Sequence, residues 1–290
     1  MYRKFLVFVL ATLLLPNKYD ATNQTKGLLD FLFLNDQCDC ACGVPNREAK
    51  LLGGEYLRTN EFPWMAQIQV RGDFVIPGTL INDRYVITSA STIIGLTPYD
   101  LKVTLGQFDR CFPDVSSQNV SVDAIKLHPD FSPGNRAHDL ALVKLSSPIN
   151  FDRKINPICI ALPGAKYVGQ VGTVVGWAEG SSADSSCRPR KLGLPILDYD
   201  RCVGTALDSQ YTSLDKGCLG VIGAKSVICE TDAGGPVMYR SYNRVYELIG
   251  ILSDKNGCAD LPSTALYTRI GDHLRWIKEA TKDACYCIKS

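Results

Sequence analysis

An all-β chain, barrel or sandwich, with a helix at its C-terminal end is the fold class predicted by three features of the sequence. From about Leu51 to Ile270, short apolar or alternating runs are separated by Gly, Pro, Asn and Asp, the rhythm of many short strands joined by turns. Near the end the period changes: Ile270, Leu274 and Ile277 recur at i, i+4 and i+7 and give one apolar helical face, with Lys278 and Lys282 left to solvent. About 270 residues remain once an apolar leader is set aside, enough for one large or two small cores.

The leader is Met1-Tyr2-Arg3-Lys4 followed by an apolar run from Phe5 to Leu15, a basic n-region and an h-region too short to span a bilayer. It predicts a secretory signal peptide over residues 1–21, with cleavage near Ala21, and a secreted, extracellular product. Residues 22–50 form a separate arm with three cysteines and the patch Leu28-Leu29-Asp30-Phe31-Leu32-Phe33-Leu34. The arm is too short for a core of its own, so it is expected to be stapled to residues 51–290 or packed on them. The strand runs follow: Trp64 to Val70, Tyr85 to Ser89, Leu101 to Gln107, Leu140 to Leu145, Gly172 to Trp177 and Tyr246 to Leu252.

Twelve cysteines fit the oxidising compartment that a signal peptide implies and point to disulfides. Metal ligation, the alternative, needs CxxC-type pairs with histidine partners. Here the three histidines are scattered along the chain, and only Cys38-Asp39-Cys40-Ala41-Cys42 and Cys285-Tyr286-Cys287 cluster, so no metal and no cofactor is expected. A net charge of +1 without a basic block argues against nucleic acid as a partner, and no further run is long and apolar enough for a membrane span. Asn23 and Asn119 open Asn-x-Ser/Thr sequons and are candidate glycosylation sites.

Six segments then occur in a telling order. They are Lys50-Leu51-Leu52-Gly53-Gly54, Phe62-Pro63-Trp64, His138-Asp139-Leu140-Ala141-Leu142, Gly176-Trp177, Ala233-Gly234-Gly235-Pro236 and Leu266-Tyr267-Thr268-Arg269. Together they resemble the chymotrypsin/trypsin-like serine protease family from Cys42 to Ser290. The resemblance implies two packed six-stranded β-barrels with the site between them.

That family's chemistry needs a hydroxyl to attack, an imidazole to take its proton and a carboxylate to orient the imidazole. By the resemblance, Asp139 is the carboxylate, Ser91 in Thr88-Ser89-Ala90-Ser91-Thr92 stands where the base belongs, and Ala233 stands at the nucleophile. Thr231 replaces an oxyanion-hole glycine, and its β-branched side chain disfavours the backbone geometry required there. Val227 stands at the base of the specificity pocket, Lys255 on the substrate-pairing rail and Ala265 at a pocket-wall glycine. His128, His138 and His273 are expected to be structural or surface residues, His138 because neighbours on a strand face opposite ways. Ser91 and Thr231 show no partner that would activate them.

The resemblance also pairs Cys202 with Cys218, Cys229 with Cys258, Cys42 with Cys159 and Cys111 with Cys187. Cys38 and Cys40 are left for Cys285 and Cys287, with connectivity open. Three upstream cysteines are too few for the six-cysteine clip domain of arthropod cascade proteases. Lys50, Leu51 and Asp232 form the two ends of the family's activation switch, in which cleavage after Lys50 frees an α-amino group to pair with Asp232. The implied protein is a non-catalytic serine protease homologue of arthropod type, a cofactor, decoy or recognition protein in an extracellular network such as innate immunity. Its expected partners are extracellular proteins, including active proteases and zymogens. The alternatives are a weak or altered-specificity hydrolase and a structural secreted or matrix-binding protein.

Overall fold

The computed structural model describes residues 37–46, 55–72, 74–112, 114, 117–177, 187–201, 213–224, 228, 230–253 and 264–289. The signal peptide, most of the arm, Asn23, Lys50, Leu51, Cys202, Val227, Cys229, Lys255 and Cys258 lie outside the described residues.

Two short strands come first, β1 (Gln37–Ala41) and β2 (Glu55–Tyr56). The first barrel follows: β3 (Met65–Val70), β4 (Phe74–Leu80), β5 (Tyr85–Thr88), β6 (Leu101–Leu105), β7 (Gln118–Leu127) and β8 (Ala141–Leu145). It closes in the order β3-β4-β5-β8-β7-β6. After β9 (Cys159–Ile160), the second barrel uses β10 (Val171–Gly176), β11 (Arg190–Leu197), β12 (Lys216–Leu219), β13 (Pro236–Arg240), β14 (Tyr246–Leu252) and β15 (Ala265–Arg269). Its path β10-β13-β14-β15-β12-β11 is closed by pairing of β10 with β11, while β2 and β9 add to its outside. Closure removes the exposed edges that an open sheet would present.

The Phe62-Pro63-Trp64 segment binds the barrels together. Trp64 is fully buried, the Phe62 and Trp64 rings lie 5.0 Å and 5.8 Å from that of Tyr246 in β14, and Trp64 Nε1 donates to Met238 Sδ at 3.0 Å. Nearby, Lys191 Nζ and Glu61 Oε1 form a buried ion pair at 2.6 Å. One continuous core therefore runs from the first barrel through Val175, Trp177, Met238 and Leu248 of the second.

At the C-terminal end, a 3₁₀ turn (Ile270–Asp272) leads into a helix, and Ile270, Leu274 and Ile277 are all buried, as their spacing requires. The last strand, β16 (Tyr286–Ile288), pairs in parallel with β1. Two disulfides rivet this pair, Cys38–Cys285 and Cys40–Cys287, which settles the connectivity left open by the sequence. Cys42–Cys159 and Cys111–Cys187 form as expected. Cys218 is disulfide-bonded too, and no described cysteine is free.

Candidate functional site

The cleft residues come from turns that the strands deliver to one place. Strand β5 runs into helix α1 (Ala90–Ile93), which carries Ser91, and β8 is preceded directly by Asp139. Gly234, φ 91°, brings the chain after β12 against this segment so closely that an added Cβ would lie 2.2 Å from Thr88 Oγ1 and 2.9 Å from Pro77 O. Glycine is therefore required there, and its neighbour Ala233 is buried.

Asp139 is fully buried and accepts three hydrogen bonds. The Ser91 backbone N–H donates to Oδ1 at 2.7 Å, the Ser91 hydroxyl to Oδ2 at 2.8 Å and the Ser253 hydroxyl to Oδ2 at 2.5 Å. Lys216, also fully buried, donates through Nζ to Ser253 Oγ at 2.8 Å and to Thr268 Oγ1 at 2.7 Å. Burial pushes this lysine down to about 8, against the opposing pull of Asp139 and Asp215. The expectation that Ser91 lacks a partner is therefore corrected: its hydroxyl is bound to the carboxylate. Lys216 and Ser253 were not singled out as members of this network by the sequence, because a lysine within Lys-Gly-Cys-Leu carries no signal that it will be buried.

Asp232 is buried beside the second barrel. Its carboxylate fills the space that a side chain at Gly176 would need: a Cβ there would lie 1.8 Å from Asp232 Oδ1. The preceding residues Glu230–Asp232 form a 3₁₀ turn, with Thr231 exposed. Ala265 is buried at the start of β15, and Asn119 is exposed in β7.

None of the three histidines lies beside Ser91. Although scattered along the chain, they are gathered by the fold into one cluster against Asp215. His128 and His273 are buried, with ring centroids 4.8 Å apart, and His138 stacks on His128 at 5.0 Å. Strand alternation does not set the direction of His138, which precedes β8 with φ 55° and packs its ring on those of His128 and His273. Its N–H donates to Asp215 Oδ2 at 2.9 Å. Burial, then the neighbouring His273 and His138, push His128 down to about 4. Asp215 would be raised by its burial, but bonds from His273 and Ser213 prevail and hold it well below the usual carboxylate range.

Residues 51–277 match the Trypsin family. The chain is 32% identical over 263 residues, 82% of this chain and 74% of the relative, to phenoloxidase-activating factor 3 of Holotrichia diomphalia. It is 29% identical over 264 residues, 83% of this chain and 67% of the relative, to serine protease 7 of Drosophila melanogaster. Over 265 residues it is 29% identical to CLIP domain-containing serine protease B4 of Anopheles gambiae, covering 82% of this chain and 72% of that one. With two closed six-stranded barrels and a family match across both of them, the chain belongs to the trypsin family.

Proposed function

We propose that this is a secreted, non-catalytic member of the family that binds and regulates other proteins of an extracellular protease network. The observation that carries the reading is the set of bonds on Asp139. Its oxygens are engaged by Ser91 and Ser253, and the position next to it that an imidazole would need holds the Ser91 hydroxyl. A hydroxyl cannot accept and return a proton near neutral pH as an imidazole does, and Ala233 offers no nucleophile. Loss of either group costs a related protease on the order of a millionfold in rate. The 3₁₀ turn before Ala233 supports the same reading, because such turns direct amide N–H groups back onto the chain, whereas an oxyanion hole needs them free.

The named relatives supply the setting: one is a phenoloxidase-activating factor, one a serine protease and one a CLIP domain-containing serine protease. Our reading places this chain beside such proteins as a cofactor or decoy. It also keeps the switch: cleavage after Lys50 would free the Leu51 amine to reach the buried Asp232 and reshape the binding surface. N-terminal sequencing of the native secreted form tests this, and a working form that begins before Lys50 removes the switch.

A fluorophosphonate probe and a broad peptide library, applied before and after cleavage at Lys50, test the absence of catalysis. No labelling and no turnover are expected. The Ser91–Asp139 hydrogen bond is the one feature that favours a weak hydrolase. Labelling that survives repurification and disappears in Ser91→Ala would establish that second reading instead.

A further inference from the structure

We propose that His128, His138 and His273 form a binding site for one Zn²⁺ ion that ties the C-terminal helix to the first barrel beside Asp215.

The geometry comes first. One ring nitrogen from each histidine lies within 4.8 Å of the other two. His128 Nε2 and His273 Nδ1 are 3.2 Å apart, and two ligands of a tetrahedral zinc at 2.0–2.1 Å would be separated by about 3.3 Å. The buried pair is thus already at ligand spacing. His138, now stacked on His128, must turn its ring to complete a three-histidine face, and its buried Nδ1 has no hydrogen-bond partner in the present arrangement.

The surroundings also suit a metal. His273 Nε2 faces Asp215 Oδ2 at 3.2 Å, so Asp215 fixes the ring with Nδ1 turned inward, the carboxylate–histidine arrangement that orients zinc ligands. Asp215 also holds the His138 backbone, so one carboxylate positions two of the three ligands. The His138 side chain is 37% exposed, which leaves a path for the ion and a fourth position for water. Three neutral imidazoles suit Zn²⁺ better than Mg²⁺ or Ca²⁺, which take oxygen ligands.

Binding has a definable proton movement. The Asp130 N–H donates to His128 Nδ1 at 3.2 Å, so Nε2 carries the ring proton. Coordination through Nε2 shifts that proton to Nδ1 and gives up the Asp130 bond. No net charge is created on the imidazole. His128 and His138 flank β7 and β8 of the first barrel, His273 caps the C-terminal helix, and Asp215 precedes β12 of the second barrel. A bound ion would therefore tie the C-terminal helix to the first barrel, with Asp215 bringing in the second barrel through its bond to His273.

The test uses the untagged, full secreted protein, stripped with a chelator and titrated with Zn²⁺ by calorimetry. One equivalent is expected to bind with a Kd below about 1 µM. The chosen variant is His138→Asn, because asparagine tolerates the positive φ at this position but replaces the imidazole. It should keep the near-ultraviolet circular dichroism and metal-free melting temperature of the parent while losing at least about thirtyfold in zinc affinity. Substitution with Co²⁺ supplies an independent readout, a visible tetrahedral absorption band present in the parent and absent in His138→Asn. Failure to take up zinc at about 100 µM, or equal affinity in parent and variant, overturns the site.

Discussion

Ser91 makes two hydrogen bonds to Asp139, its backbone N–H at 2.7 Å and its hydroxyl at 2.8 Å, one to each carboxylate oxygen. The carboxylate clamps the start of a short helix, and in our proposed reading it is the one that a working protease would use to aim an imidazole. Restoring Ser91→His with Ala233→Ser rebuilds the three side chains but leaves Thr231 in its 3₁₀ turn. Hydrolysis of an activated aryl ester, which needs no specificity pocket, should stay near background in the double variant. Adding Thr231→Gly should raise it by about 10² to 10³. A double variant as fast as the triple one would show that the hole is already formed.

Lys216 shows how the same network behaves with pH. Its folded-state value of about 8 lies below the 10.5 of a solvated lysine, so between these values the unfolded chain binds the extra proton. The group therefore opposes folding fully below pH 8, and that opposition fades as pH rises from about 8 to 10.5. Replacing it, Lys216→Met, strands Asp139 and should cost about 3 kcal/mol at neutral pH. Denaturant titrations of both proteins should show the parent's advantage widening between pH 8 and pH 10; a constant or shrinking gap refutes the assignment.

Gly176→Ala tests where Asp232 sits. The new methyl would overlap the buried carboxylate, so the variant should lose roughly 2 to 3 kcal/mol, and amide exchange across residues 232–235 should accelerate. Unchanged stability would mean that the carboxylate lies elsewhere.

Asp283 ties the C-terminal segment to the first barrel, accepting from the Tyr85 hydroxyl at 2.6 Å and lying 2.9 Å from Lys144 Nζ. Its burial favours the neutral acid, but those two partners outweigh it and hold the carboxyl at about 2. Because the folded value is depressed, the stabilisation is complete above the unfolded value of 3.8 and is lost as pH falls through about 2. Asp283 is 42% exposed, so the benefit over Asp283→Asn is below about 1 kcal/mol. Melting curves from pH 5 to pH 2 should show the two proteins converge at the acid end.

The barrels were legible because each strand's apolar run is local, and the helix because its three core residues fall within one short window. Motif order drew attention to Ser91 and Asp139, and the fold brings these two into contact. The electrostatic interior of the site was not legible. Lys216 and Ser253 are 77 and 114 residues from Asp139, and only barrel closure brings them to one carboxylate. The histidines were hidden for the same reason, since His128 and His273 lie 145 residues apart and neither belongs to a ligand-spacing motif.

The twin bonds between β1 and β16 have a mechanical consequence. Cys38–Cys285 closes a covalent ring whose two cysteines lie 247 positions apart, a span that contains both barrels. Force applied outside the ring would load sulfur–sulfur bonds before it reached either barrel. A protease that nicked the ring once would leave a single covalent molecule, unable to shed a fragment.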